Sequence, residues 1–159
     1  MRRSLEVVGL SALAVQIWIT YQALAGPDRL PDRIPTHFDA AGNPNGWGSP
    51  SVLLFLVVLT IGIYLLITVV SLFPAGFNFP VQVTAQNRLR LEELGLNMVI
   101  LIKVELACLF ATLQWAMIQA ARSGEGRLPP LLVPGFLILI FATVGWHLIA
   151  MVRTATSGT

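Results

Sequence analysis

The 159-residue chain is 55% hydrophobic and 11% charged, with a mean hydropathy of +0.75 and a formal net charge of +2. Those values lie outside the range of ordinary soluble domains and make the bilayer the solvent of the fold. The scattered basic residues exclude an electrostatic footprint for nucleic acid, and a single cysteine, Cys108, excludes an intramolecular disulfide or a CxxC metal pair.

Apolar runs over residues 7–25, 52–73, 94–121 and 131–152 are each near or above the ~20 residues that carry a helix across ~30 Å of hydrocarbon. They lack the alternation of a barrel strand, so the expected fold is all-α: one integral membrane domain, residues 1–159, with four transmembrane helices. The first run follows Met1-Arg2-Arg3 and ends in Ala23-Leu24-Ala25, which also reads as a signal peptide with its cleavage triplet. Its length, beyond a signal core of about 7–15 residues, favours a span. Gln16 and Thr20, one turn apart, are expected to face inward.

The connection over residues 26–50 is dense in Pro, Gly, Asn and Asp, which fix turns, so it is expected to be an ordered loop. Gly42, Gly46 and Gly48 are read as positions open to positive φ. Leu30-Pro31-Asp32-Arg33-Ile34-Pro35-Thr36-His37-Phe38, followed by Gly42-Asn43-Pro44-Asn45-Gly46-Trp47-Gly48-Ser49, resembles the signature of the family called domain of unknown function 1648. That resemblance covers the first two helices and their loop, with a weaker likeness through Phe77–Pro80. It implies kinship with the N-terminal module of SdpI-type toxin-immunity membrane proteins, although Pro50 stands where the family commonly has Lys and no second half like theirs is read.

Within this loop Pro35, His37, Phe38, Asp39, Gly42, Asn43, Gly46 and Trp47 are the candidate ligand-binding or structural residues. His37 with Asp39, Asp32 and Asn43 offers one imidazole and oxygen or amide donors, too little for a structural zinc site and without the acidic alternation of an EF-hand. No metal and no cofactor are expected. The competing reading is that His37 bonds the turn while Ile34, Phe38 and Trp47 cap the helix bundle.

In the second run Thr60, Tyr64, Thr68 and Ser71 form a polar stripe. Glu92 and Glu93 are read as acids in the first turn of the third helix, complementing its dipole. At about 100° per residue, Asn97, Glu105, Cys108, Thr112, Trp115 and Gln119 share one face, whereas Lys103 and Gln114 lie on the other. Lys103 therefore needs a partner off its own helix, expected across a dimer interface or among headgroups. Gln16, Tyr64 and Glu105 fall at similar depths and are expected to meet near mid-membrane, with His147 nearer the height of Asn97. Trp115 and Trp146 are read as interfacial anchors, and residues 154–159 as a disordered tail.

Arg2, Arg3, Arg88, Arg90 and Arg153 fall on one side of the membrane and Arg29, Arg33, Arg122 and Arg127 on the other. Arg2 and Arg3 beside the first helix put both termini in the cytoplasm of a bacterial plasma membrane and the loop outside. The leading functional expectation is a non-enzymatic protein that binds, senses or resists an extracellular peptide or small molecule through the loop. The alternative is a small carrier using Glu105, Lys103 and His147, for which four helices would have to form a homo-oligomer. An enzyme is not expected, because no nucleophile elbow, HExxH motif or phosphate-cradling Gly loop is present.

Overall fold

A backbone in hydrocarbon satisfies its hydrogen bonds within itself, and the four apolar runs do so as helices. The computed structural model describes residues 2–123 and 126–156. Among them the order is α1 (Arg2–Ala25), β1 (Ile34–Phe38), β2 (Pro44–Gly48), α2 (Val52–Ser71), α3 (Arg88–Ser123) and α4 (Leu132–Thr156), with one 3-10 turn at Pro74–Gly76. All four helices are long and apolar enough to span a membrane. The helical continuation of α4 to Thr156 replaces the disordered tail expected from Thr154, and residues 157–159 lie outside the described residues.

The 36-residue α3 is the axis on which the other helices pack. Its hydrogen bonds to α1 keep a nearly constant sequence separation, 95 for Arg2 to Asn97, 97 for Lys103 to Glu6 and 98 for Gln16 to Gln114, so α1 and α3 run parallel. With α2 and α4 running in the opposite direction, the hairpin and the chain termini occupy opposite ends of the bundle. α3 begins two turns before the level of Arg2, because Thr84 and Asn87 form a reciprocal cap: Thr84 N–H donates to Asn87 Oδ1 at 2.8 Å and Asn87 N–H to Thr84 Oγ1 at 3.3 Å. Glu92 and Glu93 consequently lie in the second turn rather than the first. They pair with arginines of their own helix, Arg88 to Glu92 at 2.8 Å and Arg90 to Glu93 at 2.9 Å, which corrects the dipole-capping role expected for them.

The loop contains a small antiparallel hairpin that Pro and Gly density had concealed, with Ile34 opposite Gly48 and Phe38 opposite Pro44. Gly46 and Gly48 serve as strand residues, not as the positive-φ turns expected of them; a β-carbon on Gly46 would sit 2.9 Å from that of His37. Gly42 does turn with φ +80°, and its carbonyl accepts the Leu128 N–H at 2.9 Å, so the hairpin tip is tied to the α3–α4 connection. Beneath it, Ile34, Leu30, Leu53, Met117, Ile118 and Leu128 form an apolar core.

Candidate functional site

The hairpin turn is built around Asp39. Its Oδ1 accepts the N–H of Ala41 at 2.9 Å and of Asn43 at 2.8 Å, and Asn43 Nδ2 donates to Oδ2 at 3.2 Å. The backbone bond from Asn43, then its side-chain amide, hold the Asp39 carboxyl below the usual carboxylate range, and Arg127 adds a weaker attraction. His37, on the exposed side of β1, pairs through Nδ1 with Asn45 Oδ1. The bond joins the strands, with Asn45 in the place expected of the turn backbone. Asp39 and His37 thus each have local partners, and among the described residues no three of His, Cys, Asp and Glu converge.

Pro35 and Gly42 are buried, Phe38 leans half-buried on the core, and Asn43 and Gly46 are partly covered. Trp47 is 54% exposed, so it does not cap the bundle: at its place in β2 the alternation of a strand points it away from the core that takes Ile34. Between the hairpin, the ends of α2 and α3, and the start of α4 lies a cavity of about 440 Å³. Phe38, Leu56, Leu113, Met117 and Leu132 make its apolar wall, and His37 and Asp39 stand at its rim.

Inside the membrane the polar side chains form separate groups rather than the single meeting of Gln16, Tyr64 and Glu105 expected from depth. Gln16 Nε2 donates to Thr60 Oγ1 at 3.1 Å and to Gln114 Oε1 at 3.0 Å, while Gln114 Nε2 donates to Thr20 Oγ1. Nearer the termini, Lys103 Nζ donates to Glu6 Oε1 at 2.6 Å and to Thr68 Oγ1 at 3.1 Å, and the Tyr64 hydroxyl donates to Glu6 Oε2 at 2.6 Å. The Lys103 ammonium also sits 4.6 Å from the Tyr64 ring centroid. This corrects the expected dimer or headgroup partner of Lys103, whose counter-ion is Glu6 of the same chain. Glu6 escaped sequence reasoning because the first apolar run was begun at Val7; the pairing of one buried base with a lone acid at matching depth was the available signal.

Glu105 faces α4 instead. Its Oε1 accepts from Thr143 Oγ1 at 2.5 Å, its Oε2 is buried without a partner among the described residues, and His147 Nδ1 donates to the Thr143 carbonyl at 2.8 Å. Asn97 accepts from Arg2 Nε at 2.9 Å toward the terminal end of the span, the end to which His147 also lies one turn beyond Thr143. Trp115 and Trp146 are exposed on the outside of the bundle.

Four apolar helices with a structured hairpin at one end define a multi-pass membrane protein. Residues 13–62 match the model of the family described as domain of unknown function (DUF1648), so the resemblance carried by the hairpin motif holds from mid-α1 through the hairpin into α2. The match takes in His37, Asp39 and Trp47 and leaves Glu6, Lys103, Glu105 and His147 outside it. A protein of Archaeoglobus fulgidus, named there an uncharacterized protein, is 28% identical over 151 residues, covering 86% of this chain and 76% of that one. No solved structure matches.

Proposed function

We propose that this chain is a non-enzymatic membrane protein that receives an amphipathic molecule from outside the cell in the cavity beneath the hairpin. The observation that carries the reading is that cavity: about 440 Å³, within the usual range for small-molecule sites, apolar inside and polar at the His37–Asp39 rim. The side chains of the rim favour binding over catalysis, since Asp39 is committed to the turn and His37 to Asn45. Arg2 and Arg3 at the start of α1 favour cytoplasmic termini, which turns the hairpin outward. The proposed setting is a bacterial plasma membrane, although the relative named above is archaeal. The resemblance of the hairpin motif to SdpI-type immunity proteins would extend the reading to protection against a toxic extracellular peptide.

The carrier reading has less support, because Lys103 turns toward α1 and α2 while Glu105 and His147 lie between α3 and α4. The test is growth of a host with and without the protein across membrane-active peptides and ionophores, beside His37→Ala, a cavity-filling Leu132→Trp and Glu105→Gln. Protection by the parent that Leu132→Trp abolishes supports the cavity. Protection untouched by either change, or lost selectively in Glu105→Gln, overturns it.

A further inference from the structure

A second recess, on the other flank of the hairpin end, lies between α1 and α3. It has a volume of about 380 Å³, and its walls change character with height. On α3, Trp115, Gln119 and Arg122 follow one another at i, i+4 and i+7 and so share one face. On α1, Ile19 gives way to Gln22. The lower part is therefore apolar and the upper part amide and guanidinium, with Asp28 also on its wall, over a rise of about 10 Å from Trp115 to Arg122.

That gradient straddles the membrane boundary. Trp18 and Tyr21, both exposed and with ring centroids 6.1 Å apart, stand beside the recess on α1, and Trp115 is 51% exposed on α3. Aromatic residues gather at the headgroup level, which puts Arg122, about two turns above Trp115, among the phosphates. One Arg122 N–H donates to the main-chain oxygen of Asp28 at 3.2 Å, which holds the guanidinium at the mouth of the recess. Among the described residues no carboxylate lies within ion-pair distance of Arg122, and its side chain is exposed. Gln22 and Gln119 add neutral donors about one turn lower.

We propose that this recess is a binding site for the phosphodiester headgroup of a membrane phospholipid, with the phosphate on Arg122 and the upper acyl chain against Trp115 and Ile19. A planar guanidinium takes a phosphate through two parallel N–H bonds, and an apolar floor directly below it accepts a chain that a free anion lacks. The site is independent of the cavity beneath the hairpin and of any ligand held there.

Native mass spectrometry of the delipidated full chain in detergent tests this, with titration by dimyristoylphosphatidylglycerol, dimyristoylglycerol or inorganic phosphate. One phospholipid should be retained per chain, and Arg122→Gln should weaken its affinity roughly fivefold, the effect of one basic contact at a membrane surface. Arg33→Gln, on the same side but away from the recess, should leave it unchanged. Equal retention of dimyristoylglycerol, an unaltered affinity in Arg122→Gln, or an equal loss in Arg33→Gln overturns the headgroup site. Phosphate that competes the lipid away at equal concentration overturns the lipid as its occupant.

Discussion

At the hairpin end, Ile34, Leu53 and Leu128 close over Met117 and Ile118 with hardly a polar atom among them. At the terminal end, Glu6, Tyr64, Lys103 and Thr68 tie three helices together by charge and hydroxyl. The contrast follows from the solvent at each level. Where the hairpin meets water, apolar side chains gain by leaving it. Between helices already in lipid that gain vanishes, and association rests on packing and on hydrogen bonds that have few competitors. Met151 packing with Leu91 and Leu94 shows that apolar contact persists at the terminal end, where α3 extends beyond the start of α1.

The comparison breaks most visibly at the ion pair. Glu6→Gln leaves the Lys103 ammonium, whose side chain is wholly buried, without its counter-charge. The expected loss is about 3 kcal/mol of unfolding free energy, at the low end for a buried pair because Glu6 remains 36% exposed. Glu6→Gln combined with Lys103→Met should recover most of it, measured by unfolding in mixed detergent micelles. A double variant no more stable than the single would mean that the pair does not act as a unit.

Next in size is Ile34→Ala, for which truncation in a water-facing core predicts about 2 to 3 kcal/mol. Leu13→Ala is its counterpart within the span, where Leu13 packs with Tyr64 and Ala107. That change should cost about 1 kcal/mol, since dispersion is lost without a hydrophobic term. Limited proteolysis sharpens the difference: cleavage in the hairpin should accelerate in Ile34→Ala and stay at the parent rate in Leu13→Ala. Equal costs would show that the two levels do not differ in solvent. Gln114→Leu, which removes the centre of the amide network, should cost about 1 kcal/mol in the same unfolding assay, the scale of hydrogen bonds between membrane helices.

The helices were legible because runs of ~20 apolar residues have one solution in lipid. Charge made their ends harder to read: Arg2, Arg3 and Glu6 precede the first run, yet α1 includes them because Glu6 has Lys103 and Arg2 has Asn97. The opposed faces of Lys103 and Glu105 followed from helical periodicity, while their partners required the depth offset between α1, α3 and α4, which periodicity does not contain. The hairpin was concealed by its composition, since Pro35, Pro44, Gly46 and Gly48 argue against strands on propensity. A two-stranded sheet tolerates them where the missing side chain admits a close partner, as Gly46 does for His37. Of the turn, Gly42 was legible as a residue free to take positive φ, whereas Asp39 and Asn43, read as ligand donors, are what hold it.

The smallest expected effect concerns that turn and depends on pH. Asp39 accepts its bonds as a carboxylate, and its folded value lies below the ordinary 3.8. A lowered carboxyl contributes stability that is fully present above the unfolded value and is lost as pH falls through the folded one. From neutral pH to about 5 the turn should therefore be unchanged, and acidification from near 3.8 downward should loosen it. Amide exchange at Ala41 and Asn43 reports this directly, because their N–H groups are the ones Asp39 holds. Their protection, corrected for intrinsic exchange, should fall over that acid range, while that of Thr60 and Gln114 in the span stays constant. In Asp39→Asn the hairpin amides should start less protected and lose the acid step. A step that survives the substitution would assign the acid response to another carboxyl at the hairpin end and leave the turn held by its backbone bonds.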